Sequence, residues 1–330
     1  AQAAVPWLVA RVQDGGLSPA DRQAALEAIA ALGGPADLRL VFDRAIEPAT
    51  KPAQAAAWLT LLVETEGRRR VRPAGDLAAV ARLLESPDPA VVTTAINACA
   101  AWKLKAAIGP LAVLAHDAAQ PQAQRRAAIG ALGGLPGDEA RATLVALASG
   151  SEAEQGDRAT AITALVAQWP DAAARQAAGF LTVATDPKAL DTVFRGFLAA
   201  KGAAAILANT IDGQSVALPA VAVQAGLQAI SSAGRQEPQL DQALAAAGTR
   251  YGTAATTSGR HAMSGADLDA FVDLVRTKAD PARGEAIFRR EALKCVACHR
   301  VGDHGPRVGP NLAAIGAASP LDYIIDSLVH

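Results

Sequence analysis

The sequence predicts an all-α chain in two parts: a tandem array of helical pairs over residues 1–250 and a smaller helical domain over residues 264–330. Three observations predict it. The chain is 51% hydrophobic but only 4% aromatic, so its interior must be built from small aliphatic side chains, alanine above all, which suits helices packed at close range. A short apolar tetrad returns at a fixed interval along the first three quarters of the chain. Alternating β-branched runs, the usual strand signal, hardly occur.

The tetrad is A-I-x-A. It stands at Ala28-Ile29-Ala30-Ala31, Ala95-Ile96-Asn97-Ala98, Ala128-Ile129-Gly130-Ala131 and Ala161-Ile162-Thr163-Ala164. The last three begin 33 residues apart, and the first stands 67 before the second, close to twice that interval. A skipped copy falls near Ala57-Trp58-Leu59-Thr60, and degenerate copies follow at Phe194-Arg195-Gly196-Phe197 and Ala229-Ile230-Ser231-Ser232. Each unit reads as two helices parted by Gly, Pro or Asp signals such as Gly33-Gly34-Pro35, Ser86-Pro87-Asp88-Pro89 and Gly133-Gly134-Leu135-Pro136. One pair cannot bury its apolar face alone, whereas stacked pairs can. Period and character resemble HEAT-like repeats, and the resemblance implies an α-solenoid. The W-x-x-L-G-x-x-Y pattern of tetratricopeptide repeats is missing.

Residues 251–263 turn to Gly, Thr and Ser and read as a linker. A further helix begins at Ser264-Gly265-Ala266-Asp267, with Leu268, Phe271, Val272 and Val275 on one face. Asp280-Pro281 then marks another start, Asp280 as N-cap and Pro281 at the first helical position.

Composition excludes several classes. The net charge is −1, so nothing in the bulk charge favours nucleic acid or a membrane surface. No apolar run reaches the ~18 residues of a membrane span. The start, Ala1-Gln2-Ala3-Ala4-Val5-Pro6-Trp7, lacks the charged region of a signal peptide. Cys99 sits in an apolar helical pattern and reads as a small buried hydrophobe. Arg68-Arg69-Arg70-Val71-Arg72 reads as a solvated loop between repeats. His116-Asp117 has no nucleophile near it, and no catalytic set, phosphate loop or dinucleotide fingerprint occurs.

The chemistry is concentrated in Cys295-Val296-Ala297-Cys298-His299. C-x-x-C-H is the spacing for attaching a c-type haem: each thiol adds to one vinyl group, and the imidazole directly after the second cysteine becomes an axial ligand of the iron. A C-x-x-C pair can also serve a zinc knuckle, with His304 as a further ligand, or a thioredoxin-like redox couple, but neither requires a histidine at position 299.

With its surroundings the motif resembles a known family. Asp280-Pro281-Ala282-Arg283-Gly284-Glu285-Ala286-Ile287-Phe288, the C-V-A-C-H-R-V-G run from Cys295, Val308-Gly309-Pro310-Asn311-Leu312 and Ser319-Pro320-Leu321-Asp322-Tyr323 together resemble the PVC-type cytochrome c-like haem-binding domain, which commonly follows HEAT-like repeats. The resemblance implies a class I cytochrome c-like domain holding one covalent haem c. Cys295 and Cys298 would be the anchors and His299 the proximal ligand. Pro310 would offer the carbonyl that orients it, and Phe288, Leu312, Ile315, Tyr323, Ile324 and Leu328 would surround the ring.

A methionine downstream would be the second axial ligand. The only methionine here is Met263, so the domain is expected to be incomplete at its C-terminus, with His304 and His330 as further candidates. Lys294, Arg300 and Arg307 would pair with propionates or form a basic rim for a partner. The expected function is electron transfer, with a redox partner protein or dehydrogenase domain as donor, in the bacterial periplasm or at the cell surface. The alternative is a protein-interaction scaffold whose haem is structural or senses a ligand.

Overall fold

Proline and short polar caps fix where the helices begin. The computed structural model describes residues 2–150, 153–234, 236–252, 265–290, 293, 295–303, 305 and 311–329. Helix makes up 76% of the chain, and no strand occurs among the described residues. The chain divides into two compact units, Ala1–Ala254 and Ala255–His330.

The first unit runs α1 (Val5–Gln13), α2 (Pro19–Leu32), α3 (Pro35–Ala45), α4 (Pro52–Arg69), a 3-10 helix (Ala78–Glu85), α5 (Pro89–Ala101), α6 (Ile108–His116), α7 (Gln122–Gly134), α8 (Asp138–Ser149), α9 (Gln155–Val166), α10 (Pro170–Val183), α11 (Pro187–Ala199), α12 (Ala203–Gly213), α13 (Ala220–Ala233) and α14 (Pro238–Arg250). Pro19, Pro35, Pro52, Pro89, Pro170, Pro187 and Pro238 each open a helix, where the missing N–H costs nothing and φ is already set. Ser18, Asp88 and Asp186 accept first-turn N–H groups.

These helices pack in two rows. One row is α2, α4, α5, α7, α9, α11 and α13, each against the next; α6, α8, α10, α12 and α14 form the other. The tetrad positions all fall in the first row. Ile29, Trp58, Ile96, Ile129, Ile162, Phe194 and Ile230 are buried there in successive helices. Small residues let the helices approach: a Cβ added to Gly133 of α7 would lie 2.8 Å from the Cβ and carbonyl oxygen of Ala164 in α9.

Polar links span about one repeat, 35 residues each. Thr65 donates to the Ala30 carbonyl (2.9 Å), Gln124 to that of Pro89 (3.1 Å) and Gln168 to that of Gly133 (2.6 Å). Between α7 and α9, buried Asp157 binds Arg125 through one oxygen (2.8 Å) and Arg126 through the other (2.9 Å). That contact raises the Arg125 pKa, chiefly through its hydrogen bond to Asp157.

The arginine run is only partly the solvated loop expected of it: Arg70-Val71-Arg72 follow the helix and Arg68, Arg70 and Arg72 are exposed, but its first two residues are helical. Arg68 and Arg69 lie in the last turn of α4. Arg69 donates to the carbonyls of Ala31 (2.7 Å) and Leu32 (3.3 Å) at the end of α2, while Arg68 pairs with Glu64 one turn back. Cations suit a helix C-terminus, and the orphan carbonyls there accept hydrogen bonds.

The second unit contains α15 (Gly265–Lys278), α16 (Pro281–Phe288), α17 (Cys295–Cys298), a 3-10 turn (Leu312–Ala314), α18 (Ile315–Ala318) and α19 (Leu321–Val329). Asp280 caps α16 by accepting from the N–H groups of Ala282 (2.9 Å) and Arg283 (3.2 Å). α15 and α18 pack on α19. Val272 and Ile325 are the buried hydrophobic residues of this unit among those described. Phe271, expected on the inner face of α15, is 42% exposed. Of the linker expected over 251–263, residues 253–263 lie outside the described residues.

Ile162→Asp should cost about 4 kcal/mol or more, because it buries an unpaired charge in a packed row. Circular dichroism melting should then read a Tm lower by roughly 8 °C or more; an unchanged melting curve would contradict the buried register. Asp157→Ala removes the buried carboxylate shared by Arg125 and Arg126, leaving Arg125 with the more exposed Glu154 (3.1 Å) and the Gln120 carbonyl (2.9 Å). It should cost about 2 kcal/mol in urea unfolding, against no measurable change if the pair were a surface contact.

Candidate functional site

α17 is a single helical turn, and that turn sets the geometry of the motif. Cys295 opens it, and the His299 N–H closes it by donating to the Cys295 carbonyl at 3.0 Å. A helix brings residues three and four apart onto one face, so positions 295, 298 and 299 share one side of the turn. Cys295 is half-buried with its Sγ 3.5 Å from the Leu293 carbonyl. His299 is half-buried too. The Cys298 side chain lies outside the described residues, as do Pro310, His304, Met263, His330, Lys294 and Arg307.

The chain after His299 is drawn back toward the motif. Asn311 pairs with Arg300 in an isolated parallel bridge, and the Leu312 N–H donates to the Arg300 carbonyl at 2.8 Å. The Asn311 side chain accepts from the N–H groups of Gly302 (3.2 Å) and Ala313 (3.1 Å) and donates to the Gly302 carbonyl (3.3 Å). Gly305 makes the return possible. Its φ is +115°, and a Cβ there would lie 2.9 Å from the His299 carbonyl oxygen and the Arg300 Cα. Only glycine fits both demands. Asn311 was part of the quoted V-G-P-N-L run, but its clamping role was not read from sequence.

Beside α17 is a cavity of about 480 Å³, lined by Gly284, Glu285, Phe288, Arg289, Val296, Val301 and Gly305. Its size lies within the range of small-molecule and cofactor pockets. Phe288 lines this cavity together with Val296 of the motif. Leu312, Ile315, Tyr323, Ile324 and Leu328 are not among its lining residues; Tyr323 is 61% and Leu328 78% exposed. Val296, Val301 and Arg289 were missed. The first two sit beside the motif cysteines and histidine, where alternation with polar neighbours gives no signal.

Among the described residues no cluster of three or more His, Cys, Asp and Glu side chains forms a metal site. In the first unit, Cys99 is fully buried, and desolvation pushes its thiol up to about 12. The His116 Nδ1 lies 2.8 Å from the Ala112 carbonyl one turn back. The Gln120 side chain and then the Ala119 N–H hold the Asp117 carboxyl below its usual range. Both groups are engaged locally at the end of α6. No helix among the described residues is long and apolar enough to cross a membrane.

The Cys99 shift has a sign. Above pH 9.0, its ordinary value, the unfolded chain gives up a proton that the folded chain keeps until about pH 12. The contribution is therefore held at neutral pH and lost as pH rises through that window. Native chain at pH 8 should leave Cys99 unalkylated by iodoacetamide, and urea should expose it. Rapid labelling of Cys99 in the native chain would contradict its burial.

No family model and no curated protein matches this chain.

Proposed function

We propose that the second unit holds one covalently attached c-type haem and serves electron transfer. The first unit would be a HEAT-like solenoid that mounts it against a redox partner. The observation that carries this reading is the juxtaposition of a one-turn C-x-x-C-H with a cavity walled by Phe288, Val296 and Val301. Phe288, Val296 and Val301 offer apolar surface near the motif, and two thiols with an adjacent imidazole are the donor set haem c takes, although neither Cys295 nor His299 lines the cavity. Cys295 and Cys298 would bond it and His299 would ligate its iron. The Asn311 clamp and Gly305 would keep the segment after His299 in place, which limits how far the imidazole can turn. When bound, haem supplies a one-electron couple whose potential depends on the second axial ligand, with methionine raising it.

The resemblance to the PVC-type haem-binding domain supports the same reading and adds a dehydrogenase domain or subunit as the electron donor. Covalent attachment of haem c would itself imply a bacterial periplasmic or cell-surface location. The two rows of helices in the first unit, with tetrad residues buried in turn, support the solenoid. Stacked pairs would make a broad, stiff platform.

A second reading is a scaffold with a structural or ligand-sensing haem, since two rows of stacked helices also suit protein docking. Optical spectroscopy separates the two. Electron transfer predicts reversible reduction and reoxidation with a six-coordinate, low-spin spectrum. A five-coordinate haem that takes up carbon monoxide readily would favour the sensor. Double substitution Cys295→Ser with Cys298→Ser should abolish covalent pigment in denaturing gels, and pigment that survives it would contradict the attachment.

A further inference from the structure

Far along the sequence from the motif, the first unit has a cavity of about 420 Å³ where α8 and α10 meet, with Arg141, Gln168, Trp169, Asp171 and Arg175 in its wall. The aromatic part of that wall is fixed in place. The Gln168 side-chain amide donates to the carbonyls of Gly133 (2.6 Å) and Leu135 (3.2 Å). The Trp169 backbone N–H donates to the Leu165 carbonyl at 2.8 Å, and the Trp169 side chain packs half-buried on the core. Its indole N–H has no partner among the described residues.

The charges around this cavity do not cancel in pairs. Asp171 and Arg175 stand four apart on α10, the spacing at which Asp191 and Arg195 pair at 2.7 Å on α11. No such pair forms on α10, and Arg175 has no hydrogen-bond or ion-pair partner among the described residues. Arg141 has one in Asp138 at 3.0 Å, but the Asp138 side chain is 91% exposed, so that tie is weak. Two guanidinium forks from two helices thus reach one cavity beside an aromatic surface, with Asp171 as the carboxylate among them.

We infer that this cavity binds an aromatic monocarboxylate, a planar ring bearing one carboxylate group. The inference stands apart from the haem reading. Two cations against one carboxylate leave a single positive charge in the wall, which matches a monoanion. The guanidinium fork fits a carboxylate in two-point contact, and charge-assisted bonds of this kind are stronger than neutral ones. Arg175 has no bond to give up, and Arg141 exchanges one exposed carboxylate for another at little cost. The indole of Trp169 offers a flat apolar surface to the ring and a donor at its edge. The cavity volume lies within the range of small-molecule sites, and the fixed position of Trp169 reduces the freedom lost on binding.

Isothermal titration calorimetry of the full chain at low ionic strength tests this with three probes. 2-Naphthoate carries ring and carboxylate, 2-naphthalenemethanol the ring without the charge, and inorganic phosphate the charge without the ring. Naphthoate should saturate one site and bind about tenfold tighter than either of the others, the advantage one charged hydrogen-bonded contact gives. Arg175→Gln and Arg141→Gln should each remove most of that advantage. Arg195→Gln, an exposed arginine on α11 outside the cavity, should keep it. Absence of saturable naphthoate binding, phosphate or the alcohol binding as tightly as naphthoate, unchanged affinity in both Arg175→Gln and Arg141→Gln, or an equal loss in Arg195→Gln would each overturn the assignment. Arg141 and Arg175 are exposed, so circular dichroism melting of both variants should match wild type, and either one that does so is enough to decide.

Discussion

A small unit stays folded only if it buries enough apolar surface to offset the conformational entropy of ordering its chain, and the two units of this protein meet that constraint differently. The first buries leucine, isoleucine, valine, phenylalanine and alanine along its successive helices. In the second, the buried hydrophobic residues among those described are Val272 and Ile325, while Phe271, Leu293, Val301, Ile315, Tyr323 and Leu328 are exposed. Small domains of this kind are ordinarily held by a staple such as a disulfide, a metal or a bound group. On the haem reading, a porphyrin bonded to the C-x-x-C-H turn would act as that staple. The same bonds would then fold the unit and equip it for redox work.

The first unit depends on close approach. Alanine and glycine at the helix contacts shorten the distance between neighbours, so each pair is felt by the next. The polar links follow the same rule. Thr65, Gln124 and Gln168 each reach a carbonyl 35 residues away in sequence, about one repeat interval. Arg125, Arg126 and Asp157 add a buried ionic tie between α7 and α9. Such ties contribute more to register than to net stability, since desolvation offsets much of their attraction.

Much of the fold was legible in the sequence because its signals are local. Proline at the first helical position, aspartate caps and the A-I-x-A interval each act within a few residues, and they mark the helix starts and the buried isoleucines. Of the arginine run, Arg70-Val71-Arg72 form the expected loop, but the part played by Arg69 is tertiary and left no local signal: it serves carbonyls of a different helix, 37 and 38 residues back. At the candidate site, the motif from Cys295 to His299 stands out in the sequence because it is contiguous, and it folds as one helical turn. The cavity wall does not stand out. Whether Phe288, Val296 and Val301 meet depends on how the chain returns through Gly305 and Asn311, and no periodicity encodes that return. The exposure of Phe271 has the same origin, since an apolar stripe on a helix does not say which of its residues finds a neighbour.

The central claim is that two thiols and one imidazole hold a porphyrin permanently. The most direct measurement is the intact mass of the denatured chain, produced in a host able to attach haem c. The account predicts a single species heavier than the polypeptide by one haem, with the added mass retained through acid and organic solvent. A mass equal to the amino acids alone would contradict it.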